Sequence, residues 1–294
     1  MWIIYSLLSA VSDAGRLTAG RKLVREFDTL WTVWFLYLVT AIVCLIFGIF
    51  AYKELPWENS SFVLMLFGSD LGLMAGTLLL TKAMKTSDLS IVAPIMSTTP
   101  IFIIIWEFLL FGTLPNTYGL VGILMIVFGS YTLNLSKAFS VGILEPLRAI
   151  TRPGGGLFAL SGAFAYSTSA LLSKWALDIS DPASYTIVYE PIAFVYITII
   201  VLVMMALGKL KFDKRIFNYP LILVSQGVLN AINSLMNAFA FVLASTSYVI
   251  SIKRTSGLFG VWFGYLFFKE KGISERLVGA LIMVCGVAVL SIWG

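Results

Sequence analysis

The chain of 294 residues alternates long apolar stretches with short polar breaks. An apolar run of about 20 residues is the length that crosses a bilayer as a helix. Ten such runs are predicted, at roughly 2–20, 29–51, 61–83, 89–111, 117–135, 155–177, 183–207, 218–243, 246–268 and 274–292. The longest polar stretch is 136–153, which runs into Gly154-Gly155-Gly156 and reads as a linker. The pattern therefore predicts an all-α integral membrane protein in two units, five helices at 1–135 and five at 154–294.

The two units share sequence. Residues 90–129 reappear at 247–286, shifted by 157 positions without a gap. Thirteen positions are identical, among them Ser90/Ser247, Thr98/Thr255, Phe102/Phe259, Gly122/Gly279 and Gly129/Gly286. A fainter echo joins Leu8-Ser9 to Leu160-Ser161 and Lys22 to Lys174, at a shift of 152. Five is an odd number of crossings, so the second unit must enter the membrane inverted.

Composition agrees with the pattern. The chain is 59% hydrophobic and 12% charged, with mean hydropathy +0.95, whereas a soluble domain carries about 25% charge. Cys44 and Cys285 both lie in apolar runs and read as small core residues. Histidine is absent. These counts give no disulfide or metal framework, and no cofactor is predicted. No basic segment followed by a cleavage site opens the chain, so the first helix is expected to be retained.

The net charge of +5 lies mainly in short loops, where it reads as topology rather than nucleic-acid binding. Fifteen of the 20 Lys and Arg residues follow the odd-numbered helices, among them Arg21, Lys22, Lys137, Arg152, Lys269 and Lys271. The opposite side holds Lys53 and Lys174. The excess places the basic loops in the cytoplasm, within a plasma (inner) membrane, and both termini outside.

Several polar residues fall at membrane depth. Lys253 and Arg254 are adjacent in the ninth helix. A charge at the bilayer centre costs roughly 2.5–3.5 kcal/mol even on lenient scales. The pair therefore needs water, substrate or a carboxylate on another helix. Ser247, Ser251 and Arg254 share one helical face. Gln226, Asn230, Asn233 and Asn237 form a continuous stripe on the eighth helix, which either lines a wet cavity or ties helices together. Glu107 and Glu190 are candidates for proton coupling or for pairing with Lys253 or Arg254. Asp13 and Arg16, three residues apart, can pair on the first helix. On the third helix Asp70, a further candidate for proton coupling or ion pairing or else an interfacial residue, shares a face with Thr77 and Thr81, and Gly68, Gly72 and Gly76 permit close packing. Pro94 and Pro100 interrupt the fourth helix. Trp2, Trp31, Trp34, Trp57, Trp175 and Trp293 fall near span ends and read as interfacial anchors.

The segment SYVISIKRTSGLFGVWFGYLFFKEKGISERLVGALIMVCG, at 247–286, resembles the last two helices of EamA-type members of the drug/metabolite transporter superfamily. So does LSIVAPIMSTTPIFIIIWEFLLFG, at 89–112, in the first half. The resemblance implies a 5+5 inverted-repeat carrier whose central cavity is lined mainly by helices 1, 3, 4, 6, 8 and 9. The Lys253-Arg254 pair also resembles the phosphate-binding pair of plastid-type sugar-phosphate translocators. The chain departs from its relatives at Gly112-Thr113, where many carry Gly-Glu, and places Glu107 deeper instead.

The expected function is secondary transport of a small polar metabolite, anionic or zwitterionic, with phosphorylated compounds among the candidates, by alternating access. Binding is expected at Lys253, Arg254, Ser251, Asn230, Asn233, Asn237 and Gln226. A flippase for a lipid-linked sugar or phospholipid head group is the alternative on the same scaffold. An enzyme is disfavoured, because Ser251 and Lys253 are two residues apart and point to opposite sides of a helix. The expected partners are a small-molecule substrate and the lipid bilayer, not nucleic acid, with the chain a monomer or homodimer.

Overall fold

The computed structural model describes residues 1–87, 89–135, 145–151, 154–268 and 276–294. Among these, every regular element is helical. The elements are α1 (Trp2–Glu26), α2 (Thr29–Ala51), α3 (Ser60–Thr86), α4 (Leu89–Met96), α5 (Thr99–Phe111), α6 (Thr117–Leu135), α7 (Glu145–Ile150), α8 (Gly155–Leu177), α9 (Pro182–Ala206), α10 (Pro220–Leu243), α11 (Thr246–Lys253), α12 (Ser256–Phe268) and α13 (Leu277–Trp293), with a 3-10 turn at Lys214–Asn218. Two pairs, α4–α5 and α11–α12, each form one broken rod. With α7 set aside, ten rods remain.

Six of these rods are long and apolar enough by composition alone to cross a membrane: α2, α3, Ile91–Phe111, α8, α9 and α10. Two more, within α6 and α13, are shorter apolar helices. The other two are α1, which carries Asp13, Arg16, Arg21 and Lys22, and the rod broken at Arg254. Their charge and their break, not their length, separate them from the rest. Large apolar side chains such as Ile49, Phe50, Leu64, Leu221 and Phe267 stand 70% exposed or more. Only hydrocarbon makes such a surface tolerable.

Helix boundaries differ from the sequence reading at several ends. The first helix runs six residues beyond position 20, so Arg21 and Lys22 lie on its last turns rather than in a loop. The linker region 136–153 holds α7, which packs on α8 and α4. Residues 136–144 and 152–153 lie outside the described residues, as do Lys137, Arg152, Lys269 and Lys271.

The packing follows a pseudo-two-fold relation between the repeats. The α3–α8 contact has its counterpart in α10–α1, and the contacts of α4 and α5 with α8 have theirs in α11 and α12 with α1. Two contacts map onto themselves, α2 with α9 and α6 with α13. Glycines shared by the repeats explain the last. A Cβ on Gly122 would stand 3.0 Å from the Gly286 carbonyl oxygen, and one on Gly286 would stand 2.9 Å from that of Gly122. Gly129 and Gly279 face each other in the same way, at 2.7 Å in each direction. A shift of 157 exchanges the two contacts, so each identity preserved between the repeats forms half of a self-complementary crossing. Ile123, Ile126, Met283 and Leu290 fill the core beside it. The three glycines of α3 pack on α8: a Cβ at Gly72 would lie 3.1 Å from Ser169, and one at Gly76 would lie 3.0 Å from the Tyr166 ring.

Two sequence readings are corrected here. Cys44 is buried, but Cys285 is exposed on α13, on the outer surface of an apolar helix. Trp31 is buried rather than interfacial. It packs edge-on against Trp34 and Phe212, and its Nε1 donates to the Lys211 carbonyl at 3.0 Å.

Candidate substrate site

The site is built around the two broken rods. In the first repeat the break falls at Ser97-Thr98, two residues before Pro100, whose ring nitrogen has no hydrogen to donate to the preceding turn. The hydroxyls of Ser97, Thr98 and Thr99 donate instead to the carbonyls of Pro94, Ile95 and Met96, at 2.5, 2.7 and 2.8 Å. In the second repeat the break falls at Arg254-Thr255, the positions equivalent to Ser97-Thr98. Here Gly257 stands where the first repeat has Pro100. Thr255 repeats the bond of Thr98, its hydroxyl donating to the Ile252 carbonyl at 2.7 Å. The eighth-residue position of Lys253 within α11 puts the break about 12 Å along the rod, near mid-membrane.

The break was not expected in the second repeat. The first repeat signals its break with proline, whereas the second uses Thr-Ser-Gly, a run of weak helix formers that is commonplace inside longer helices. Broken helices at matching positions of inverted repeats are the usual setting of a carrier's binding site, because backbone freed from the helix needs polar company.

The break holds a cluster of charge. Arg16 on α1 donates to Asp13 Oδ1 at 2.6 Å, and their side chains are 21% and 14% exposed. This is the local pair that their spacing allowed. The Asp13 carboxylate also interacts electrostatically with Lys253 and Arg254, and Glu190 with Arg16 and Lys253. Lys253 and Arg254 are half-buried. Among the described residues neither makes a direct ion pair, and the buried Nε of Arg254 has no hydrogen-bond partner. Tyr166 of α8 is an electrostatic neighbour of Arg254, and its hydroxyl lies 3.1 Å from Thr77 Oγ1. Ser251, on the same face as Arg254, is fully buried and donates to the Ser247 carbonyl at 2.6 Å.

The amide stripe of α10 stands at helix contacts. Gln226 lies over Gly20 of α1, and its Nε2 donates to the Arg16 carbonyl at 3.4 Å. Asn230 Nδ2 donates to Thr40 on α2 at 3.3 Å and to Glu190 Oε2 on α9 at 3.4 Å. Asn233 Oδ1 accepts from the Ser9 hydroxyl of α1 at 2.8 Å. Asn237 Oδ1 is buried without a partner. Three of the four amides thus tie α10 to the helices that surround the charge cluster.

The carboxylates separate. Glu190, one residue before Pro191 in α9, joins the cluster through Asn230. Glu107 does not reach Lys253 or Arg254. It accepts the Ser247 backbone N–H at 3.1 Å, and so caps the N-terminus of α11 from α5. An anion is stabilised there by the free N–H groups of the first turn. Glu107 also lines a cavity of about 290 Å³ with Trp2, Leu114, Ser245 and Tyr248, at the end where the chain termini lie. Asp70 is fully buried in α3. Sequence reasoning missed Ser9, Thr40 and Tyr166 as members of the site. Ser9 belongs to the Leu8-Ser9 echo, which was the available signal. Thr40 and Tyr166 lie in runs that otherwise look purely apolar.

The fold is that of an all-helical membrane protein with ten rods in two related halves. Residues 1–135, the first repeat, match the EamA-like transporter family, which supports a membrane transporter of the drug/metabolite transporter superfamily. A solved crystal structure, described only as that of a protein, superposes with TM-score 0.75 over 98% of this chain and 99% of its own, at 14% identity. At that identity the likeness concerns the fold alone. A search of curated proteins found no match.

Proposed function

We propose that the protein is a secondary carrier for a small polar metabolite, anionic or zwitterionic, with a phosphate group the best-fitting head. Its site lies between the repeats at Lys253 and Arg254, with the α10 amides and Ser251 framing it. One observation carries this reading. Two cations stand at mid-membrane in a helix break without a direct carboxylate partner among the described residues, while the nearby Asp13 is already bound to Arg16. A planar guanidinium beside an ammonium suits phosphate or carboxylate oxygens. The repeats at 1–135 and 154–294 would rock about this centre, driven by a gradient and joined through 136–153. In this reading the protein works in the plasma (inner) membrane, as a monomer or homodimer, with its basic loops cytoplasmic.

The test is ligand-dependent thermal stabilisation of purified protein, wild type beside Arg254→Ala. The panel holds phosphorylated sugars, nucleotides, lipid head groups, amino acids and organic cations. A true ligand at a hundred times its Kd adds about 2.7 kcal/mol. Stabilisation by soluble phosphorylated anions that disappears in Arg254→Ala is the expected result. A response confined to lipid head groups would favour a flippase. A response to cations, or an equal response to anions in both proteins, would make the basic pair structural and overturn the proposal.

A further inference from the structure

Asp70 differs from every other acidic residue described. It lies eleven residues into α3, about 15 Å from the helix start and so near mid-membrane. Its exposure is 0%, and neither carboxyl oxygen has a hydrogen-bond partner. Among the described residues no Lys or Arg makes an ion pair with it. The other buried acids are provided for: Asp13 has Arg16, Glu107 has the α11 N-terminus, and Glu190 has Asn230.

The groups around it do not supply positive charge. The titratable groups facing Asp70 are Glu190, Tyr185, Tyr189 and Tyr196 of α9 and Tyr37 of α2. From α8, Ser169 packs against α3 at Gly72, two residues beyond Asp70 in the chain. The adjacent Ser69 is already engaged, donating to the Leu66 carbonyl at 2.7 Å and lying 3.2 Å from the Tyr185 hydroxyl. An ionised carboxylate in such surroundings would be a bare charge in a low-dielectric interior, which proteins avoid by neutralising the group. A divalent metal site built on side chains would need several ligands, and no group of three or more His, Cys, Asp or Glu residues occurs among the described residues. A proton needs only the carboxyl itself.

We propose that Asp70 is the proton-binding site of this carrier, with Glu190 linking it to the cationic centre. Glu190 interacts electrostatically with Asp70 on one side and with Arg16 and Lys253 on the other. Charge arriving at Lys253 and Arg254 therefore changes the field at Glu190, and through it the hold of Asp70 on its proton. The proton-binding part stands without the anion reading. The link to transport rests on it.

The experiment is infrared spectroscopy of the purified protein in lipid nanodiscs at neutral pH, without substrate. Wild type, Asp70→Asn and Glu190→Gln are compared, each first checked for intact helical content and a monodisperse elution profile. The expected result is a C=O stretch of a buried, protonated carboxyl in wild type. Its intensity falls in Asp70→Asn, and the Asp70 component persists, shifted in frequency, in Glu190→Gln. Undiminished intensity in Asp70→Asn, or no band in wild type, overturns the site. A band that persists unshifted in Glu190→Gln overturns the link. Because no substrate enters the measurement, failure of the anion reading in the thermal-shift test leaves this one intact. If Asp70→Asn does not fold, Asp70→Glu keeps the proposal testable, because it must retain a protonated-carboxyl band at a new frequency.

Discussion

At the scale of single residues, the polar groups of this protein divide by how each is satisfied. Among the described residues Lys253 and Arg254 make no direct ion pair and the Asp70 oxygens have no hydrogen-bond partner, whereas Asp13, Glu107 and Glu190 are bound by Arg16, the α11 N-terminus and Asn230. Asp181 shows the ordinary case outside the bilayer. It caps α9, accepting the Ser184 backbone N–H at 3.1 Å, and meets Lys53 at 3.0 Å. Burial opposes its charge, but the Ser184 N–H, Lys53 and the Ser184 hydroxyl outweigh that and hold its carboxyl below the ordinary Asp value of 3.8. A depressed carboxyl adds stability that is complete above its unfolded value and is lost as pH falls through its folded one. Asp181→Ala is therefore expected to cost about 1 kcal/mol at neutral pH, most of it from the cap, since Lys53 is 74% exposed. Thermal melts of both proteins should approach each other below pH 3.8 and converge as the pH falls through Asp181's depressed folded value. The presence of these groups was legible in the sequence, and so was the Asp13–Arg16 pair, because three-residue spacing on one helix fixes proximity. Glu107's partner was not legible, because the N-terminus that it caps belongs to a helix 140 residues away.

At the scale of elements, the glycine crossing of α6 with α13 is the most demanding contact. A Cβ at Gly129 would lie 2.6 Å from Met283 Cγ and 2.7 Å from the Gly279 carbonyl oxygen. Backbone cannot move aside as a side chain can, so the helices must separate. Gly129→Ala is expected to destabilise by about 1–3 kcal/mol, the usual range for overpacking. Gly260→Ala in α12 is the control. It meets nothing within 4 Å and should leave the melting temperature unchanged or slightly raised, as alanine favours helix. Similar melts for the two variants would remove the crossing as a fold determinant. The repeat identities marked these glycines in sequence, but only packing showed that Gly122 meets Gly286 and not its own equivalent, Gly279.

At the scale of the whole molecule, the inverted repeat sets the geometry of transport. Matching breaks at Ser97-Thr98 and Arg254-Thr255 give each repeat a bend at the same depth. The repeats differ in what they place there, Ser97 in one and Arg254 in the other. The scaffold is thus nearly symmetric while the chemistry is one-sided. Orientation is a property of this scale too. In the proposed orientation, with basic loops cytoplasmic, an even number of crossings would leave both termini external. A C-terminal alkaline phosphatase fusion expressed in a bacterium should be active, and a green fluorescent protein fusion dark. The reverse pattern would turn the molecule over and place the Glu107 cavity on the cytoplasmic side.

The sequence by itself determined the class of protein, the positions of its apolar rods and the inverted repeat. Those follow from local length, local apolarity and a constant shift between two segments, none of which needs a partner to be read. It also determined that Lys253, Arg254, Asp70 and the α10 amides would require company, because polar groups in hydrocarbon are costly wherever they point. Which company they keep was decided only by the tertiary structure. Ser9, Thr40, Arg16 and Glu190 meet the amides because α1, α2 and α9 stand beside α10, and Asp70 has no partner among the described residues because the neighbouring Ser69 and Tyr185 hydroxyls are engaged with each other. A helix's own periodicity fixes the face that a residue occupies, but the group across from that face belongs to another stretch of chain.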